Sequence, residues 1–543
     1  MERDRQADLA TLRAVHGAAG SGDFARAAAL AGPALEGGLE HPLLYNVLAI
    51  RLEHEQQLAE AAALLERGVA RFPADVGLRN ALGLCLLRLE RSAEALVQFD
   101  ALLALDPKLP FAHTSRGAAL LSGGALTRAE ESYRRALALD PRQGVALAGL
   151  ANIAVRRGLY GDARSWAEQA LALLPGYPDA VASLAAAELG EGEAARAVTR
   201  LETLLADPRL AGAERAAVEG LKGDALDALD RPAEAFRAYA RCNEELRRCY
   251  APRFTAGPSA LAYVRAMTAY FRAARPEDWR APAAGPGTPS PVRGHVFVLG
   301  FPRSGTTLLE VALEGHPQAL SLGERELLID GVHEFMRAPE DLGRLAVADA
   351  AVLRRLRAAY WARAAEAGAT LADRIFIDKH PLNTLKLPLI ARLFPEARIV
   401  FAYRDPRDVV LSCFRRRFQM SAPIYELLSL EGAARYYDAV MGLADRLEAV
   451  LPVAMRRLRY ESLVSDFEAQ MRPLCGFLGL AWTDAMRDFA ARTQQRASAT
   501  PSTAQLARGL DGGGIGGWRR YRDALAPALP LLEPWVRRLG YEP

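Results

Sequence analysis

Small, apolar and helix-breaking positions in the first half of the chain return at a fixed interval. Pro73, Pro107, Pro141 and Pro175 lie 34 residues apart, and Pro208 follows after 33. Asp precedes three of them, at Asp106-Pro107, Asp140-Pro141 and Asp207-Pro208. Counting back from Pro107, Gly83, Ala95 and Phe99 stand at 24, 12 and 8 residues, and Gly117, Ala129 and Tyr133 hold the same offsets before Pro141. Ala151 and Ala163 continue the series before Pro175. Small residues let two helices of a hairpin approach, the aromatic fills the groove between them, and proline stops the second helix. The pattern predicts stacked helix–turn–helix units, best formed over 42–208 with looser helical hairpins on either side.

The pattern then changes. LAYVRAMTAYFRAAR (261–275) predicts a single helix with Leu261, Val264, Met267, Tyr270 and Phe271 apolar or aromatic. APAAGPGTPSP (281–291) has nothing with which to build a core and marks a boundary. Beyond it, HVFVLG (295–300) predicts a buried parallel strand, followed by a tight loop and a helix from about Gly305 to Glu314. Strand–turn–helix patterns return in IFIDKHPLNTLKLP (375–388) and ARIVFAYRDPRDVVLSCFRRRF (397–418). The expected organisation is an all-α superhelix over 1–250, a helical connector and Pro/Gly-rich linker over 251–291, and an α/β domain with a central parallel sheet over 292–543.

Composition narrows the function classes. The chain has 543 residues, 51% hydrophobic and 24% charged, which is far from a disordered composition. Its 68 basic and 65 acidic residues leave a net charge of +3, too balanced for a dedicated nucleic-acid binder. The N-terminal MERDRQADLATLRAV lacks a signal-peptide layout, and nowhere do apolar residues run long enough for a membrane span. The five cysteines are scattered, with no CxxC pair, so neither a disulfide framework nor a zinc site is expected. A cytoplasmic protein is the expectation. Only four of the basic residues are Lys (Lys108, Lys222, Lys379, Lys386), the rest being Arg. Each remaining Lys is a position where Arg would not obviously serve.

The loop after the first strand carries the clearest chemistry. Gly300-Phe-Pro-Arg-Ser-Gly305-Thr306-Thr307 has the spacing of the nucleotide-triphosphate loop, with Thr306 where Lys would reach the β- and γ-phosphates. Backbone N–H groups and a helix N-terminus still favour an anion there, and Arg303 supplies a cation. Arg404 ends a later strand, and Ser412 follows eight residues on in the helix.

The first-half repeat resembles the tetratricopeptide repeat over about 8–250, and such units stack because none buries its apolar face alone. PRSGTTLL (302–309) resembles the 5′-phosphosulfate loop of sulfotransferases, which use 3′-phosphoadenosine 5′-phosphosulfate (PAPS). The resemblance extends over about 292–543 and is nearest to the tyrosylprotein type; the whole chain looks like a bacterial-type tetratricopeptide-repeat sulfotransferase. It implies donor contacts from Pro302, Arg303, Ser304, Gly305, Thr306 and Thr307, and a 3′-phosphate grip from Arg404 and Ser412. It further implies Tyr460, in RYESL, near the adenine. Ser502, Gln505 and Arg508 resemble the late segment that closes over the donor phosphates, although the glycine run at 512–517 departs from the family and predicts a mobile loop before Trp518. Arg415, Arg416 and Arg417 read as a surface cluster, and Lys386 as a surface lysine.

Sulfuryl transfer to a hydroxyl requires in-line attack, removal of the acceptor proton and neutralisation of the leaving oxygen, with no metal required. Lys379, at the end of a strand, matches the family lysine on the bridging oxygen, a single-atom contact that suits a compact ammonium. Two groups compete as general base. His380 is adjacent to Lys379, although the family histidine falls two residues after the lysine, where this chain has Pro381. Glu324 lies 21 residues after Arg303, where the tyrosylprotein type carries its catalytic Glu. The implied activity is PAPS-dependent transfer to a hydroxyl, with the repeats recruiting a peptide, protein or other large acceptor. A nucleotide-dependent phosphotransferase and a scaffold with an inactive nucleotide-binding domain are the rival readings; oligomeric state is not legible.

Overall fold

The structure, a computed structural model, describes residues 2–280, 290–488 and 514–542. It divides into two compact units, Met1–Glu191 and Gly192–Pro543.

The first unit is a helical repeat array. From Phe24–Glu36 to Pro178–Gly190 its helices are 13 or 14 residues long and alternate in hairpins. The small–aromatic pairing expected from the sequence is present. A Cβ built on Gly83 would lie 2.5 Å from the Phe99 ring, and one on Gly117 would lie 2.6 Å from the Tyr133 ring. Only a residue without a side chain allows this approach. Ala95, Ala129, Ala151 and Ala163 are fully buried at the remaining small positions.

The second unit holds a five-stranded parallel sheet in the order β2-β3-β1-β4-β5. The strands are β1 (Gly294–Gly300), β2 (Ala319–Ser321), β3 (Ile375–Lys379), β4 (Arg398–Tyr403) and β5 (Ala454–Arg459). β1, β3 and β4 are almost continuously buried, which explains why they read as unbroken apolar runs rather than alternating ones. Strand order reverses around β1, so its C-terminal edge and those of β3 and β4 form the crevice where open α/β sheets bind ligands.

The compact division at Glu191/Gly192 lies well before the composition-based boundary at 250. Helices Gly212–Ala228 and Pro232–Phe254 form a hairpin that keeps the repeat-like pairing, with a Gly223 Cβ 2.4 Å from the Tyr239 ring, yet it packs within the second unit. Phe236 stacks on Phe414 at 5.1 Å, and buried Asn243 donates to the Phe414 carbonyl at 2.9 Å. The helix predicted at 261–275 is present as Ala260–Ala273 and packs along Leu430–Val450. Val264, Met267 and Phe271 are fully buried, so this stretch is part of the second unit's core as well as a connection. Among the described residues, no helix is long and apolar enough to cross a membrane.

Candidate active site

β1 delivers the chain into a loop with two left-handed residues, Arg303 (φ 71°) and Gly305 (φ 96°), before the helix Thr306–Leu313. For Arg303 this backbone costs about 1–3 kcal/mol, a cost that persists only where the surroundings fix it. Gly305 has a second reason to lack a side chain, because a Cβ there would lie 2.5 Å from Tyr460 Cδ2. The loop is therefore packed from one side by the Tyr460 ring, which begins the helix Tyr460–Ser465 after β5. Ser304, Thr306 and Thr307 are buried at the helix start, where free backbone N–H groups and the helix dipole favour an anion.

Arg303, Arg404 and Ser412 come together although about a hundred residues separate the first from the others. Arg303 Nε donates to Ser412 Oγ at 2.9 Å, and Arg404 Nη1 donates to the Arg303 carbonyl at 3.5 Å. Burial, reinforced by the charge of Arg416, pulls the Arg303 pKa down to about 10, so it remains a cation at neutral pH. Arg404 lies 4.8 Å from the Tyr460 ring centroid, within cation–π range. Its buried Nε has no hydrogen-bond partner among the described residues. A buried guanidinium N–H left in this state calls for an acceptor.

Lys379 ends β3 and is fully buried. Its Nζ lies 2.6 Å from Glu324 Oε1 and 3.2 Å from Glu310 Oε2. Glu310 is fully buried on the helix after the loop and accepts a hydrogen bond from Ser321 Oγ at 2.7 Å, whereas Glu324 is partly exposed. His380 has turned to a different partner. Its Nε2 lies 3.2 Å from Glu326, which also takes Lys386 Nζ at 2.5 Å. Burial and the charge of Lys386 hold the His380 pKa down, so the ring is neutral near pH 7. Burial pushes Glu326 upward, but Lys386 and His380 outweigh it and keep the carboxyl ionised. Lys386 is therefore no free surface lysine but half of a pair on the cleft wall.

Beneath these groups, Asp378 is buried and held by Tyr360 Oη at 2.8 Å and Asn383 Nδ2 at 3.1 Å. Burial raises its pKa to about 7 against the opposing effects of the Tyr360 hydrogen bond and Lys386. Thr384 Oγ1 donates to the Gly300 carbonyl at 3.0 Å, tying the turn after β3 to the end of β1.

The C-terminal residues reach the same edge. Asp408 Oδ2 accepts from the Gly516 N–H at 2.7 Å and Oδ1 from the Trp518 N–H at 2.9 Å, and Arg404 donates to the Gly514 carbonyl. Part of the glycine run expected to be a mobile loop is thus pinned by one carboxylate, and Gly517–Tyr521 forms a 3-10 turn. Ser502, Gln505 and Arg508 lie outside the described residues. Arg415 and Arg417 are not a free surface cluster. Arg415 pairs with Asp227, and Arg417 pairs with Asp224 at 3.1 Å, both from the hairpin before residue 254. Asp227 also receives Arg520 Nη1 at 3.0 Å and Tyr521 Oη at 2.5 Å.

A cleft of about 640 Å³ opens from the loop, lined in part by Pro302, Arg303, Gly305, Thr306, Thr307 and Glu324. The structure therefore gathers the loop, Arg404, Ser412, Tyr460, Lys379 and Glu324 at one sheet edge and turns His380 toward Glu326. Sequence reasoning missed Glu310, whose signal was a lone charge within the otherwise apolar TTLLEVAL, and Ser321, which carries no local signal. Among the described residues, no three His, Cys, Asp or Glu side chains gather in a way that could hold a metal ion.

Separate parts of the chain are similar to two known families. Residues 295–484 match the sulfotransferase family, and 48–110, 80–144 and 114–178 match the tetratricopeptide repeat. An uncharacterized protein of Aquifex aeolicus is 26% identical over 261 residues, covering 46% of this chain and 34% of that protein. Protein-tyrosine sulfotransferase A of Caenorhabditis elegans is 24% identical over 259 residues, covering 46% of this chain and 67% of the relative. The chain thus spans about a third of the first relative's length and about two thirds of the second's. Among solved structures, the sulfotransferase domain of the Synechococcus PCC 7002 olefin synthase aligns with a TM-score of 0.33 at 22% identity, covering 48% of this chain and 98% of that domain.

Proposed function

We propose that this chain, a tetratricopeptide-repeat protein whose residues 295–484 belong to the sulfotransferase family, moves a sulfuryl group from PAPS to a hydroxyl acceptor. The observation that carries the reading is the buried Lys379 ammonium at the end of β3, in contact with Glu324 at 2.6 Å beside a phosphate-type loop. The donor's fit is supported by the buried Arg404 Nε, which has no hydrogen-bond partner among the described residues.

The donor supplies an activated sulfur whose bond to the bridging oxygen breaks as the acceptor oxygen–sulfur bond forms. The loop 302–307 holds the 5′-phosphosulfate, chiefly through backbone N–H groups at the start of the helix Thr306–Leu313, Arg303, Arg404 and Ser412 hold the 3′-phosphate, and Tyr460 packs near the adenine. Lys379 neutralises charge on the departing oxygen, where a fixed cation acts without reorganisation. Glu324 accepts the acceptor proton. Its contact with Lys379 favours it over His380, whose ring is held by Glu326. Asp408 and the residues it pins keep Arg404 in place. The repeats recruit a large acceptor or a partner protein.

Binding of adenosine 3′,5′-bisphosphate, compared with ATP in the presence and absence of magnesium, tests the donor assignment; a preference for Mg·ATP sinks it in favour of phosphotransfer. Transfer of labelled sulfate from PAPS to a panel of peptides, phenols and polysaccharides tests the activity. Full turnover by Lys379→Ala would defeat the mechanism, and bisphosphate binding without any transfer would leave the scaffold reading.

A further inference from the structure

The cleft is lined by two unlike sets of residues. One is the polar loop with Glu324; the other is the apolar set Val332, Met336, Leu382, Leu385, Phe418 and Ile424. These residues come from separate stretches of chain, so the apolar wall is assembled by the tertiary fold rather than left by one amphipathic helix. Tyr263, on the helix Ala260–Ala273, also lines the cleft, and its hydroxyl is already used on the Met336 carbonyl at 2.9 Å. Its ring therefore serves as apolar surface. Met336 and Met420 bring unbranched, adaptable side chains to the same wall.

The charges at the cleft do not suit an anionic guest. Lys386 is paired with Glu326 at 2.5 Å, and His380 is turned to the same carboxylate at 3.2 Å. Glu324 also lines the cleft, with its Oε1 held by the buried Lys379 ammonium at 2.6 Å. Arg303 belongs to the loop and contacts Ser412. The carboxylates and ammonium groups at the cleft are thus matched to one another, and an acidic acceptor would lose hydration on entering without bringing a charge that this arrangement needs. The volume of about 640 Å³ lies within the range of small-molecule sites.

We infer that the acceptor hydroxyl is carried on an uncharged, apolar body, an alkyl- or aryl-substituted phenol or alcohol whose hydrophobic part lies against the Met336–Leu385–Phe418 wall. This rests on the sulfotransferase reading above and gives that same site its substrate class. A tyrosine set among acidic residues fits such a cleft less well, because its neighbouring charges would be dehydrated there.

The test uses the full chain, labelled PAPS, a 4-alkylphenol series from methyl to hexyl, and a peptide with one tyrosine between glutamates. Adenosine 3′,5′-bisphosphate binding is measured in parallel. kcat/KM is expected to rise roughly three- to fourfold per added methylene over the first members, the increment of burying one CH₂ group. The acidic peptide is expected to be the poorest acceptor. Leu385→Glu should abolish the chain-length dependence while leaving bisphosphate affinity within about twofold, and Phe418→Ala should flatten the slope if the first variant folds poorly. A flat series, no turnover of any phenol, or preference for the acidic peptide in a chain that binds the bisphosphate overturns the inference alone. Failure to bind the bisphosphate removes the sulfotransferase reading and the inference with it.

Discussion

Two repeat hairpins of the first unit, 76–105 and 110–139, and the hairpin 212–254 of the second are built on the same internal contact. In each, a glycine on the first helix meets an aromatic ring sixteen residues later on the second: Gly83 with Phe99, Gly117 with Tyr133, Gly223 with Tyr239. They differ in what surrounds that contact. Around Gly223, Tyr239 Oη donates to Asp224 at 3.0 Å, and Asp224 and Asp227 hold Arg417, Arg415, Arg520 and Tyr521. One packing rule thus builds a stacking unit in the first case and a support for the helix Pro406–Arg415 and the turn Gly517–Tyr521 in the second. Periodicity identifies the hairpin; only the charges on its outer face say what it serves.

The comparison can be broken or sharpened by substitutions, beginning with the chemistry it assigns to the sheet unit alone. Lys379→Ala is expected to lower kcat by about 10²–10³, the loss of one preorganised charge at the developing anion. Its melting curve should show the second unit destabilised, because Glu310 is left buried without its cation. Glu324→Gln should cost about 10²-fold in kcat, with His380→Asn much nearer to wild type, as expected for a general base and a neighbour. Equal losses would move the proton-transfer role to His380. A matched pair addresses the two hairpins directly. Gly117→Ala and Gly223→Ala each press a methyl into a ring and should cost about 1–3 kcal/mol of stability by thermal or urea melting. Only Gly223→Ala should also weaken adenosine 3′,5′-bisphosphate binding; equal weakening by both would erase the distinction.

A pH dependence is also expected from one buried carboxyl of the second unit. The Asp378 carboxyl has a folded-state pKa of about 7, above the 3.8 of an exposed Asp. Between those values the folded chain holds a proton that the unfolded chain has released, so this group favours folding at low pH and its contribution falls as pH rises toward 7. Asp378→Asn should flatten the slope of melting temperature against pH over that window, and an unchanged slope would place the titration elsewhere.

Much of this was legible in the chain. The 34-residue period located hairpins whose glycines and rings do meet, and the unbroken apolar runs before Gly300, Lys379 and Arg404 located the three strands that converge on the site. Those signals are local, set by helix and sheet spacing. The features that escaped are long-range. Nothing near Arg415 says that its charge is matched by Asp227, nearly two hundred residues earlier, and nothing near His380 says that Glu326 takes its ring. The 192–254 segment reads as repeat because its internal packing is repeat-like, and its second-unit membership depends on contacts with Phe414 that no local pattern encodes. Glu310 could have been noticed as a charge inside an apolar helix, but its partner is fixed only when β3 pairs beside β1.

That pairing has one more consequence. β3 is only five residues long and aligns with β1 through Gly294↔Ile375 to Val298↔Lys379. Neighbouring side chains on a strand project to opposite faces, so a slip of a single residue would carry the ammonium to the far side of the sheet and bring Asp378 or His380 into its place. Fidelity of strand alignment during folding is therefore itself a determinant of the fraction of molecules that are active. A misaligned population would retain its secondary structure and be silent in catalysis, so specific activity, measured against total folded protein, reports on the ladder of a five-residue strand.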